Sequence, residues 1–102
     1  MNEIPVVGMA ATMGCGSDRY PGTVIQVKNK GRTVVVQADT YKPGPGHVHI
    51  AHEVWEYERN LNGSTTTYTL RQNGRWVRKG ENQYRGSGLG LGHREHHYDP
   101  HV

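Results

Sequence analysis

The chain has 102 residues, which is the size of one small domain. Its 11 Val, 3 Ile and 4 Leu make 18 strongly aliphatic residues, with no Phe, a share low enough for disorder to compete with folding. The net charge is only +3, however, and six Tyr and two Trp add apolar bulk, so the composition points to a folded domain with a thin core. No run approaches the roughly 20 apolar residues of a membrane span. The opening MNEIPVVGMAATMG lacks the basic start and long apolar stretch of a secretory signal. The single Cys15 excludes an internal disulfide and a four-cysteine zinc site, and these features together fit a cytoplasmic protein without a membrane partner.

Along the chain no window sustains a 3.6-residue apolar period, and Gly, Pro and Asn-Gly pairs interrupt every candidate helix. Met9 to Gly14 is a weak first strand of small residues. Ser17-Asp18-Arg19-Tyr20-Pro21-Gly22 is a polar loop, and it leads to the clearest hairpin. In that hairpin Thr23, Ile25 and Val27 alternate with Val24, Gln26 and Lys28. Asn29-Lys30-Gly31 turns, and Thr33 to Ala38 returns with Val34, Val36 and Ala38 on one face. Lys42-Pro43-Gly44-Pro45-Gly46 is a loop, because proline cannot donate to a ladder. Val54 to Arg59 alternates Trp55 and Tyr57 with Glu56 and Glu58. Asn62-Gly63 is a hairpin turn, and Thr66 to Arg71 is its return strand, with Tyr68 and Leu70 inward. Asn73-Gly74 turns again into Arg75 to Lys79, where one of Trp76 and Val77 faces the core. Leu89 and Leu91 within the Gly86-to-Gly92 alternation allow a short edge strand. The expected fold is all-β: a small antiparallel meander of five to seven strands, closed into an SH3-like, partly open barrel. Residues 1–102 form a single domain, with its core at about 9–92 and a polar, His-rich tail at 93–102. The glycine- and histidine-rich segments fall outside what so thin a core can fix. A second copy of the chain or a ligand is expected to order them.

Two resemblances add context. Pro21-Gly22-Thr23-Val24-Ile25-Gln26-Val27, followed by Gly31-Arg32-Thr33-Val34-Val35-Val36, resembles the hairpin of KOW-type SH3-like domains but lacks their opening Gly-Asp. It implies the barrel more than RNA binding. The wider chain resembles small phage and prophage proteins through Ser17-Asp18-Arg19, Thr23-Val24, Arg32 to Gln37, Tyr68 to Trp76 and Leu89 to Gly92. At the level of class, this resemblance implies an inhibitor or sponge acting on bacterial defence, or a DNA-associated accessory factor.

The residues that bear chemistry fall into four groups. His47, His49 and His52 form an H-x-H-x-x-H run that resembles the metal signature of metallo-β-lactamase-fold hydrolases. Ala51 stands where that signature needs Asp and the chain is far too short, so the imidazoles are read as ligand contacts and no metal is assigned. Arg19 and Tyr20 sit at the expected barrel mouth, a planar fork for phosphate beside a flat face for a base. Arg71, Arg75, Arg78 and Lys79 interleave with Tyr68 and Trp76, a mixture found where nucleotides or single strands bind. Gly86, Gly88, Gly90 and Gly92 let backbone approach a ligand or a second chain, but no Gly-Lys-Ser/Thr follows to make a P-loop. No paired acids or oriented nucleophile stand out, so no enzyme is expected.

These observations point to a non-catalytic binder of a phosphate-bearing nucleotide, most concretely a phage-type sponge that sequesters a nucleotide messenger of anti-phage defence. Arg19, Arg75 and Arg94 would hold phosphates, Tyr20, Tyr41 or Trp76 would stack on bases, and Lys42, His47 and His49 would complete the site. A homo-oligomer sharing the site between copies is expected, and no cofactor. The alternative is an SH3-like accessory factor of a phage that binds nucleic acid or protein.

Overall fold

A computed structural model describes residues 4–15, 18–43 and 55–94. Eight strands make up the fold, with no α-helix among the described residues: β1 (Ala10–Cys15), β2 (Asp18–Lys28), β3 (Thr33–Ala38), β4 (Thr40–Pro43), β5 (Trp55–Glu58), β6 (Thr65–Leu70), β7 (Trp76–Arg78) and β8 (Leu89–Leu91). Six of them form one antiparallel sheet in the order β7-β6-β3-β2-β1-β8. With β4 and β5 set aside, every strand lies beside its neighbour in sequence, so the sheet is an up-and-down meander. Its two edge strands meet: Val77 bridges to Gly88, and Arg78 N–H donates to Ser87 O at 2.9 Å. The sheet is thereby nearly closed, which leaves little free edge. The expected small, all-β, SH3-like, partly open barrel is what the chain adopts.

The core is as thin as the composition implies. Ala11, Val24, Val34, Val36, Tyr68 and Trp76 are buried at its centre, and Met9, Met13, Val27, Leu70, Leu89 and Leu91 pack around them. Trp76 and Val77 are both buried, rather than one of the two. Trp76 belongs to the barrel itself, whereas Val77 lies under the loop that follows, against Gly86. Asn29, Lys30 and Gly31 all take positive φ in the turn between β2 and β3, as the Asn-Lys-Gly sequence allows.

Several sequence expectations are corrected. The polar loop at 17–22 is strand from Asp18 onward, and β2 runs for 11 residues. Pro21 is tolerated there because its carbonyl accepts from Asp39 N–H, which puts its missing N–H on the β3 side, beyond the last ladder pair Gly22–Ala38. The alternation in β2 also breaks. A bulge between Val24 and Gln26 switches parity, so Val24 and Val27 oppose Val36 and Val34, while Ile25 leaves the core face. Lys42 lies in β4 rather than a loop, and β5 does not join the meander. These two strands pair only with each other, as a two-stranded ribbon. The turn before β6 does form, with Gly63 N–H donating to Asn60 O at 2.9 Å, but it carries the chain from ribbon to barrel. Gln37 fixes this path by donating through Nε2 to the carbonyls of Leu61 and Gly63, each at 3.2 Å.

The segment after β7 bonds to the barrel of its own chain. Residues 86–94 are held by the barrel: Gly14 N–H donates to Gly88 O at 2.9 Å, Gly92 N–H to Ala10 O at 2.8 Å, and Thr12 Oγ1 to His93 O at 2.8 Å. Arg94 closes the segment through Asp39, the single residue that joins β3 to β4. Arg94 Nε donates to Asp39 Oδ2 at 2.7 Å and Arg94 Nη2 to Thr23 Oγ1 at 2.8 Å, while Thr23 Oγ1 donates to Asp39 Oδ1 at 2.8 Å. The Asp39 side chain is only 1% exposed, so this network compensates a buried carboxylate.

Candidate functional site

The loop between β7 and β8 is built by its own polar side chains. Asn82 Oδ1 accepts from the N–H groups of Tyr84 (2.8 Å) and Arg85 (3.3 Å), which turns the chain as an Asx turn does. Asn82 O accepts from Gly86 N–H at 2.7 Å. Gly86 is required by space: a Cβ there would collide with Val77 and the Glu81 side chain. The Glu81 carboxylate accepts from Ser87 N–H at 2.6 Å. That bond holds its pKa below the ordinary carboxylate value, helped by the charges of Arg78 and Arg71 and opposed by partial desolvation. Arg75, on the approach to β7, clasps the loop from the other side. Its Nη1 donates to the carbonyls of Gln83 (2.8 Å) and Tyr84 (3.0 Å), and its Nη2 to that of Gly86 (3.2 Å).

This loop walls a cavity of about 420 Å³ against β1 and β2, within the size range of small-molecule sites. Three guanidinium-bearing residues line it: Arg19 from β2, Arg75 and Arg85. His93, Tyr84 and the backbone of Gly86 to Gly90 complete it. No carboxylate lines it among the described residues. Glycine makes the approach possible. A Cβ on Gly90 would lie 3.0 Å from His93 Cε1, and one on Gly88 would lie 3.3 Å from Arg75 Nη2. Three like charges around one concavity repel one another and raise the local positive potential, which an anion relieves. Arg75 is oriented by its carbonyl bonds, Arg19 Nη1 donates to Asp18 O at 3.0 Å, and Arg85 stands exposed with no carboxylate partner among the described residues.

A second cavity of about 310 Å³ adjoins the first, and Gly14 and Ser87 line both. Its character differs. Tyr20, Tyr41 and Tyr68 contribute to its walls together with Met13, and Arg78 stands at its edge.

The residues singled out from sequence divide as follows. Arg19 and Arg75 meet at the cationic cavity, and Tyr20 and Tyr41 meet at the aromatic one. Trp76 lines neither; it is core, and stacking on a base is not open to it. Arg94 lines neither, because its guanidinium serves the buried Asp39. Lys42 pairs with Glu56 on the exposed ribbon at 3.5 Å. His47 and His49 lie outside the described residues. The basic group around β7 also separates. Arg71 donates to Thr69 Oγ1 and Arg78 O as a strand brace, and only Arg75 reaches the cationic cavity. Tyr84 and Arg85 also line the cationic cavity, though neither belongs to a group singled out from sequence. The available signal was Asn82-Gln83-Tyr84-Arg85-Gly86, an Asx-turn former followed by an aromatic and a cation just before the alternating glycines.

Among the described residues no three His, Cys, Asp or Glu side chains cluster as a metal site would require. No helix among them is long and apolar enough to cross a membrane. No protein-family model, no curated protein and no solved structure matches this chain.

Proposed function

We propose that this protein binds a phosphate-bearing nucleotide without transforming it, as a phage-type sponge that removes a nucleotide messenger of bacterial defence from solution. The observation that carries the reading is the convergence of Arg19, Arg75 and Arg85 on one cavity that no described carboxylate lines. Arginine suits the task because its planar fork meets phosphate oxygens in pairs and stays charged at every working pH. Gly86, Gly88 and Gly90 line the same cavity without side chains that would fill it. Sequestration needs tight, stoichiometric binding and no reacting group, which matches a site of cations, glycines and tyrosine. Ile4, Val6 and Val7 stand exposed ahead of β1 and support association between copies in the host cytoplasm.

Calorimetry of the full chain against inorganic pyrophosphate, linear and cyclic nucleotides, and short DNA and RNA, at two salt concentrations, tests the reading. A nucleotide bound with Kd under about 10 μM, equivalent to roughly 7 kcal/mol, is expected. Absence of any such ligand defeats the proposal. Oligonucleotide binding that weakens steeply with salt would replace it with a nucleic-acid accessory role.

A further inference from the structure

The tyrosine-lined cavity lies directly against the cavity proposed above for phosphate. Gly14 and Ser87 form the shared wall. Neither residue has a large side chain, so the partition is thin. The backbone of Gly14 runs beside both the loop and Arg19: a Cβ there would lie in ordinary contact with Gly88 O at 3.4 Å and Arg19 Nη1 at 3.8 Å. Three phenol rings from three separate strands converge on the second cavity: Tyr20 from β2, Tyr41 from β4 and Tyr68 from β6. The ribbon matters here, because it is what carries Tyr41 to the barrel. Tyr68 is 3% exposed and belongs to the core, whereas Tyr41 is 42% exposed.

Flat aromatic walls select flat guests, and the faces of heteroaromatic rings stack on tyrosine whatever the ring's substituents. Donors are at hand for a ring edge: the Arg78 guanidinium and the hydroxyl of Thr66 line the same space. Asp39 also lines it, but both of its oxygens are committed, to Thr23 and to Arg94. Arg78 is likewise paired, with Glu81 at 3.9 Å, so what this cavity offers a ring edge is the remaining N–H groups of that guanidinium rather than a net charge.

From this adjacency we infer that the two cavities form one bipartite site, in which the tyrosine cavity takes the nucleobase of a ligand whose phosphate lies among Arg19, Arg75 and Arg85. The inference rests on the phosphate-binding reading above and deepens it. It assigns the ring to Tyr20 and Tyr41, with the buried edge of Tyr68 as the floor beneath it, and it makes Gly14–Ser87 the saddle that the sugar crosses. The ligand class is a nucleoside phosphate with one base within reach of its phosphate.

The test uses three probes on the full chain: inorganic pyrophosphate, ribose 5-phosphate, and the nucleoside 5′-monophosphates. Base stacking on aromatic side chains is expected to make the preferred nucleotide bind about tenfold tighter than ribose 5-phosphate. Tyr41→Ala and Tyr20→Leu should each reduce that gain to about twofold or less and leave ribose 5-phosphate affinity unchanged. Arg85→Ala should weaken all three probes alike. Tyr41 is exposed enough that its variant retains the barrel, and a nucleoside without phosphate should still shift the Tyr68 ring resonances in NMR spectra. If the base adds nothing to the wild-type affinity, or if its gain survives in both tyrosine variants, the bipartite site is wrong while phosphate binding stands. If no probe binds, pyrophosphate included, the phosphate reading falls and this inference falls with it.

Discussion

Arg94 and Arg85 follow the same barrel seam and meet opposite surroundings. Arg94 reaches Asp39 at 2.7 Å and ties the end of the described chain to the point where β3 hands over to the ribbon. Arg85 lies on a loop whose backbone is fixed by Asn82, but its guanidinium meets other cations and no carboxylate among the described residues. The first arrangement stabilises the fold. The second leaves an exposed charge at the cavity with no described carboxylate beside it. The local presence of a carboxylate separates the two roles, and residue type does not.

The comparison breaks if residues assigned to the fold turn out to govern binding directly. Trp76→Ala should cost about 4 kcal/mol, the scale of emptying a buried aromatic site. Against the roughly 5–15 kcal/mol of a small domain this approaches unfolding. Urea denaturation followed by fluorescence of the remaining Trp55 would show the midpoint fall. A Trp76→Ala protein of unchanged stability with lost nucleotide affinity would return Trp76 to the site.

Arg94→Ala comes next. It leaves a carboxylate buried without its ionic partner, at a cost of about 3 kcal/mol. Asp39→Asn combined with Arg94→Ala should recover part of that loss, since the stranded charge is then gone. The double-variant urea midpoint decides the matter. No recovery would mean that Arg94 acts through packing.

Arg85→Ala sharpens the opposite side. Stability should stay within about 0.5 kcal/mol, as for other exposed positions. Pyrophosphate affinity should fall about tenfold, the loss of one charge-assisted contact of about 1.4 kcal/mol. Arg75→Ala falls between the two classes. Three carbonyls of the loop lose their donor, so both loop protection in hydrogen exchange and anion affinity should decrease.

Much of the barrel is legible in the chain because strands and turns are local. The Asn29-Lys30-Gly31 and Asn73-Gly74 turns and the Val34/Val36 and Tyr68/Leu70 faces need only period two and the chemistry of positive φ. The bulge at Val24/Gln26 and the departure of β4 and β5 from the sheet are not local. Each depends on what the partner strand offers across the ladder, which no single stretch encodes. The site was half legible for the same reason. Arginine and tyrosine are residue types that suit phosphate and ring, but Arg19, Arg75 and Arg85 are brought together by closure at Val77 and Gly88. Arg94 reads in sequence as a free cation because Asp39, its partner, lies 55 positions away in the chain.

The smallest effect concerns pH, and it separates loop from barrel. Glu81 lowers its own pKa chiefly by accepting from Ser87 N–H, so the folded carboxyl holds its charge to lower pH than the unfolded one does. A depressed acid contributes its stabilisation fully above the unfolded value and loses it as pH falls through the folded value. The consequence is local, because Glu81 touches the loop and not the core: Ser87 N–H loses an ionised acceptor while the β2–β3 ladder is unaffected. The Ser87 amide proton shift should therefore titrate with a midpoint below the ordinary glutamate range, and the Val34 and Val36 amides should not follow it. Glu81→Gln should flatten the Ser87 curve. Since Ser87 lines both cavities, the same titration should appear as a loss of nucleotide affinity relative to pyrophosphate. Equal losses for the two ligands would place the effect in the phosphate cavity alone and leave the shared wall without a part in it.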